Sequence, residues 1–198
     1  MLPAHRPTLR SIHVLTVALL AGLVALAALV GTMSAASARS LPPKAVWKAD
    51  VRAVMDPGPD YLTQRAASAA PGELLAINLD IDNTSLQSTY APGRPVRPTL
   101  RFAQRAQALG MKVFFNTGRS PANASSVGAQ LAKVGFPVDQ LCTRQVGETL
   151  IEGKQRCRTS FVEQGYTLVA NVGNNPTDFA GGGYERAFRL PNYRGQLG

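Results

Sequence analysis

Cysteine and acidic residues are scarce in this chain: two of the former and twelve Asp and Glu in 198 residues. So few cysteines exclude a disulfide-dense scaffold, and the Cys142/Cys157 pair falls short of the ligands a zinc site needs. Aromatic residues make up only 7% and charged residues 17%, yet 45% are apolar, an ordinary globular composition that excludes collagen-like and wholly disordered classes. No internal repeat recurs at a solenoid period. Twenty-one Lys and Arg outnumber the acids, but no run of five or more basic residues occurs. The aromatic interleaving of a single-strand nucleic-acid groove is also missing. No specific nucleic-acid partner is therefore expected. Arg97, Arg101 and Arg105, spaced by four, form a basic ridge on a helix, read as a solvated face.

The N-terminus carries the longest hydrophobic run. His5, Arg6 and Arg10 precede 19 residues from Ile12 to Val30 that are broken only by His13, Thr16 and Gly22. Ala36-Ser37-Ala38 then has the small-x-small form of a signal-peptidase site. Residues 1–38 read as a signal peptide or, because the run could just span a bilayer, as an uncleaved anchor. Either way the domain is expected to be secreted or extracytoplasmic, touching a membrane only if the segment stays uncleaved. Without those residues the chain retains 19 basic and 12 acidic side chains, a surplus that favours anionic partners. In an oxidising compartment Cys142 and Cys157 suit either one disulfide or two buried thiols.

Residues 39–71 read as a helical lead-in that packs on the core, with helices over Ala45–Met55 and Tyr61–Ala69 separated by Pro57-Gly58-Pro59. Residues 72–198 form the main domain. Leu74–Leu79, Val113–Phe115 and Thr167–Val172 are short, nearly continuous apolar runs, as in strands buried on both faces. Phe136-Pro137-Val138 is a weaker strand candidate. Helical stretches fall at Pro98–Leu109, Ala122–Val134 and Gln155–Gln164, ending at Gly110, Gly135 and Gly165, as suits a left-handed C′ position. Helix, glycine, strand is the punctuation of an α/β fold: a Rossmann-like parallel sheet flanked by helices.

In such sheets the ligand lies outside the carboxyl ends of the strands. Three polar segments fall there: Asp80-Ile81-Asp82-Asn83-Thr84, Asn116-Thr117-Gly118-Arg119-Ser120-Pro121 and Gly173-Asn174-Asn175-Pro176-Thr177-Asp178. Asp80 and Asp82, two apart, are aimed the same way by extended backbone, and paired carboxylates can divide nucleophilic and proton-carrying work. Thr117 offers a hydroxyl, Gly118 admits close backbone approach, and Ser120-Pro121 reads as an N-cap with proline at N1. Lys154, at the start of the next helix, can meet a phosphate.

Asp80-x-Asp82-x-Thr84 after an apolar strand resembles the first motif of the haloacid dehalogenase superfamily of phosphohydrolases. Phe115–Arg119 is similar to its second motif, Lys154 with Arg158 and Gly165-Tyr166 to its third, and Gly173–Asp178 to its fourth. Trp47, the Leu86 region and Leu190-Pro191-Asn192 resemble the secreted acid phosphatase branch, with class B-type acid phosphatases and plant vegetative storage proteins. The resemblance implies that Asp80 attacks phosphorus to form an aspartyl-phosphate and that Asp82 protonates the leaving oxygen and then activates water. It implies that Thr117, Gly118 and Lys154 bind phosphate. Mg²⁺ would sit on the Asp80 carboxylate, the Asp82 carbonyl and residues of the fourth motif, Asn174 and Asp178; Asp178 would alternatively orient Lys154. Asn174 departs from the family, which has a metal-contacting aspartate there.

Thr117 follows Thr84 by 33 positions and Lys154 follows Thr117 by 37. Both intervals are consumed by the assigned helices and strands, so no large cap domain fits. A small phosphomonoester or a phosphoprotein is the expected substrate. The intact Asp80/Asp82 pair favours an enzyme; Asn174 favours a weakened relative that serves in ligand binding or storage.

Overall fold

The computed structural model describes residues 40–198; the expected export segment lies outside them. Among the described residues no helix is long and apolar enough to cross a membrane. Helices α1 (Lys44–Met55) and α2 (Gly58–Ala67) precede β1 (Leu74–Leu79), α3 (Arg97–Ala108) and β2 (Lys112–Thr117). A 3₁₀ turn (Pro121–Asn123), α4 (Ala124–Lys133), β3 (Gln140–Thr143), α5 (Leu150–Glu163) and β4 (Tyr166–Gly173) follow, then a second 3₁₀ turn (Pro176–Asp178) and β5 (Arg186–Arg189).

The strands form one parallel sheet in the order β3-β2-β1-β4-β5. β1 is central because the chain winds outward through β2 to β3 and then crosses over to β4. That reversal makes a topological switch point between β1 and β4, where ligands of open parallel sheets bind.

Successive residues of a strand face opposite sides, and the buried side chains divide accordingly. Ala76, Phe114 and Leu168 pack with Cys157 and Phe161 of α5. α3 covers β1 and β2 from its buried stripe of Leu100, Phe102, Ala103 and Ala106. The lead-in helices add a layer on α3, burying Trp47, Val51, Met55 and Leu62. A Cβ on Gly58 would stand 2.6 Å from Phe102 Cδ2, so α2 can approach α3 only with glycine there. Arg65 of α2 pairs with Glu73 before β1 and, at 2.9 Å, with Glu185 before β5.

Several expected boundaries move. α5 starts at Leu150 rather than Gln155, because Thr149 and Glu152 form a capping box that starts the helix before the interior Gly153. Lys154 therefore sits in the second turn, not at the start. The Phe136–Val138 candidate is loop, and the edge strand is Gln140–Thr143. β5 was not foreseen, being four residues with two arginines. Ser120 precedes a 3₁₀ turn and makes no side-chain cap. Gly110, Gly135 and Gly165 do take positive φ just past their helices. Cys142 and Cys157 are joined in a disulfide that ties α5 to β3.

Candidate active site

Because β2, β1 and β4 are neighbours, the three polar segments at their carboxyl ends share one edge of the sheet. β1 delivers Asp80, whose N–H donates to the Val172 carbonyl of β4 at 2.9 Å. A register shift in β4 after its Leu168 pairing aligns Ile77 with Ala170 and Asn78 with Asn171. One extra residue flips every later side chain to the other face, so Asn171 joins Asn78 on the α5 side. Asn78 Nδ2 donates to Asn171 Oδ1 at 2.5 Å, and Asn171 Nδ2 donates to the Asp178 carbonyl at 2.8 Å. This buried amide relay fixes the loop after β4 against the central strand.

Lys154 reaches this edge from α5. Its Nζ lies 2.5 Å from Asp80 Oδ1 and 2.8 Å from Asp178 Oδ1, and donates to the Asn116 carbonyl at 2.6 Å. Asn116 Nδ2 returns a bond to the Lys154 carbonyl at 2.8 Å. All three donors of the ammonium are thus used inside the protein, where Asp80, Lys154 and Asp178 are 8%, 4% and 3% exposed. Burial, reinforced by the Asp178 charge, pushes the Asp80 carboxyl up to about 6 against the pull of Lys154. Burial alone would lower the Lys154 pKa, but the two carboxylates outweigh it and raise it.

Asp178 is held on both sides. Its Oδ2 accepts from the Asn175 N–H at 2.9 Å while Oδ1 faces Lys154. A Cβ on Gly173 would overlap that carboxylate, so the fold-back needs glycine at this position. Arg158 secures the following turn, donating to the carbonyls of Asp178 and Gly182 at 2.8 Å each and to that of Ala180.

Asp82 has a different environment. Half-buried, it receives Arg119 in a fork, with Nε 2.9 Å from Oδ2 and Nη2 2.7 Å from Oδ1, and Ser88 Oγ donates to Oδ1 at 2.5 Å. Burial raises its pKa, but the Arg119 and Ser88 hydrogen bonds and the Arg119 charge outweigh that and hold it below the usual carboxylate range. The two carboxylates of the first motif are therefore pushed apart in acidity, the usual signature of a division of roles.

Thr117 is buried, and its Oγ1 accepts from the Arg119 N–H at 3.2 Å. A Cβ on Gly118 would stand 2.6 Å from Leu150 Cδ2, so a side chain here would have to displace that exposed methyl of α5. Asn174 donates through Nδ2 to the Leu197 carbonyl at 3.0 Å and accepts through Oδ1 from Thr84 Oγ1 at 3.4 Å. Asn83, at φ 56°, donates to the same Leu197 carbonyl at 2.7 Å. An amide suits this position because a carboxylate would leave one donor fewer facing that carbonyl.

Among the described residues no group of three or more His, Cys, Asp or Glu side chains forms a metal cluster. The oxygens present are the Asp80 carboxylate, the Asp82 carbonyl and the Asn174 amide. That donor set fits Mg²⁺, which prefers oxygen, keeps several waters and takes few protein ligands.

Residues 89–196, more than half of the chain, match the family described as HAD superfamily, subfamily IIIB (acid phosphatase). The chain belongs to this family. The matched region holds Thr117, Gly118, Lys154, Asn174 and Asp178 and begins after Asp80 and Asp82. Acid phosphatase 1 of Solanum lycopersicum is 34% identical over 99 residues, covering 48% of this chain and 39% of that protein. The stem 28 kDa glycoprotein of Glycine max is 29% identical over 109 residues, covering 52% of this chain and 42% of that protein. The chain thus spans about two fifths of the length of these relatives. The class C acid phosphatase from Bacillus anthracis shares the fold, with a TM-score of 0.62 at 17% identity over 75% of this chain and 79% of that one.

Sequence reasoning alone did not find the Arg119 fork, the Ser88 bond, the Asn78–Asn171 relay or the Leu197 carbonyl. Only Arg119 carried a signal, as a cation directly after Thr117-Gly118 at a strand end. The relay depends on a bulge, which leaves no residue-level mark.

Proposed function

We propose that this chain is an exported, Mg²⁺-dependent phosphomonoesterase that acts through an aspartyl-phosphate. The observation that carries the reading is the buried Lys154 held between Asp80 and Asp178 at the end of the central strand. Both histidines of the chain, His5 and His13, precede residue 14, so a nucleophile within the domain is a carboxylate rather than an imidazole. Asp80 attacks phosphorus, forming a P–O bond as the bond to the leaving oxygen breaks, and Asp82 supplies that oxygen with its proton. Asp82 then takes a proton from the water that cleaves the acyl phosphate, freeing inorganic phosphate and restoring both carboxyl groups. The Arg119 fork and the Ser88 hydroxyl favour the ionised Asp82, the form that takes the proton from water in the second step. Thr117 and the Gly118 amide hold phosphate oxygens, and Lys154 steadies the charge that develops on them. Asp178 positions Lys154. Mg²⁺, held by the Asp80 carboxylate, the Asp82 carbonyl and Asn174, supplies charge neutralisation when bound.

The test is phosphate release from an aryl phosphate by the full chain, with and without Mg²⁺, beside Asp80→Asn. Metal-dependent turnover that the variant loses supports the enzyme. Folded protein without turnover from acidic to neutral pH at high Mg²⁺ supports the second reading, a ligand-binding or storage protein, which Asn174 and the likeness to stem glycoproteins favour.

A further inference from the structure

The lead-in helix α1 and the start of α3 enclose a cavity of about 360 Å³. Its walls are strongly basic. α1 presents Lys44, Lys48 and Arg52, one every four residues and so on one helix face; α3 answers with Arg97 and Arg101, and Arg94 comes from the preceding loop. No acidic residue lines it, and none of the seven candidate catalytic, phosphate or metal residues does. Arg101 lies 3.8 Å from Asp56 in an exposed pair. Among the described residues, Lys48, Arg52, Arg94 and Arg97 have no ion pair.

Two buried polar atoms of the lining also lack partners. Trp47 is 1% exposed and its Nε1–H donates to nothing; Gln87 is 7% exposed and its Oε1 accepts from nothing. The Gln87 amide has a defined sense, because Nε2 donates to the Pro95 carbonyl at 2.7 Å, which turns Oε1 away from that carbonyl. Both atoms are sealed from solvent, so what the cavity offers a ligand is its six cations.

We propose that this cavity is a second anion site that binds a small, multiply phosphorylated molecule. Phosphate oxygens meet the six cations. The volume lies at the small end of ligand pockets, which start at about 300 Å³. A nucleic acid would need exposed aromatic faces for its bases, whereas the Trp47 ring is buried and stacked on Tyr90 with centroids 4.9 Å apart. A flat membrane surface would not enter the recess between α1 and α3.

Trp47 is the sole tryptophan of the chain, so its fluorescence reports on this cavity directly. The full chain and Asp80→Asn are titrated with inositol 1,4,5-trisphosphate in about 0.15 M salt, where exposed charges are screened beyond ~8 Å. Inorganic phosphate, single-stranded RNA and anionic phosphatidylserine vesicles are the comparison probes. A saturable change is expected in both proteins, showing independence from catalysis. The combined Lys48→Ala/Arg52→Ala/Arg97→Ala chain, its fold checked by thermal melting, should bind about tenfold more weakly or worse. No saturable change, affinity within about twofold in the triple variant, or tighter binding of RNA or vesicles would overturn the proposal.

Discussion

Replacing the candidate nucleophile should make the protein more stable as it makes it inactive. Asp80, Lys154 and Asp178 leave one net negative charge in a site almost without solvent. The cost shows in the Asp80 carboxyl, raised from an ordinary 3.8 to about 6. At about 1.4 kcal/mol per pH unit, holding it ionised at neutral pH costs the folded state at most about 3 kcal/mol. Because the folded carboxyl binds its proton more tightly than the unfolded one, the folded state holds more protons between about pH 4 and 6, and stability falls as pH rises through that window. Asp80→Asn keeps the shape and leaves Lys154 neutralised by Asp178, but its amide is a poorer acceptor than a carboxylate. A gain of about 1–3 kcal/mol at pH 7 is expected, raising the melting temperature of a domain this size by about 3–10 °C. Paired thermal melts in metal-free buffer from pH 3.5 to 7 measure it. The gain should shrink towards pH 4, where the wild-type carboxyl is protonated in both states. An equal or lower melting temperature at pH 7, or a gain independent of pH, would refute the account.

Lys154→Met leaves two buried carboxylates facing each other and should cost about 3–5 kcal/mol by urea denaturation; adding Asp80→Asn should recover part of that loss, and strict additivity would argue against the shared site. Cys142→Ser with Cys157→Ser opens a loop closed across 15 positions, with an expected loss of about 3 kcal/mol on the loop-entropy account, read as a lower urea midpoint. Asn174→Asp should tighten Mg²⁺ binding by calorimetry while costing about 1 kcal/mol, because the Leu197 carbonyl loses one of its two donors and keeps that of Asn83; unchanged metal affinity would remove this side chain from the metal site.

The sheet was legible because its central strands are nearly continuous apolar runs and its helices end at glycines that do adopt positive φ. β5 was not, since Arg186-Ala187-Phe188-Arg189 alternates too briefly to stand out from loop. The start of α5 was missed because Gly153 masks a helix that its capping box supports. At the site, Asp80, Thr117, Gly118, Asn174 and Asp178 share one edge because strand ends of a parallel sheet converge, and Lys154 reaches that edge from α5. What could not be read was how each carboxylate is partnered. Arg119 and Asp82 stand 37 positions apart, and only the geometry of two strand ends makes them a pair. The two fates left open for Cys142 and Cys157 were resolved likewise, once α5 was seen to lie against β3.

The order of the strands also governs when the protein can finish folding. β1 is the earliest strand of the sheet in the chain, yet it lies in the middle, and its second neighbour β4 follows much later: Asn78 and Asn171 are 93 positions apart. Until β4 docks, one side of β1 has no hydrogen-bonding partner, so a nascent chain halted before Gly173 cannot complete the sheet. Closing so long a loop delays the rewarding contacts. Folding should therefore be late and nearly all-or-none, and the chain stays open, and threadable, until most of it has been made.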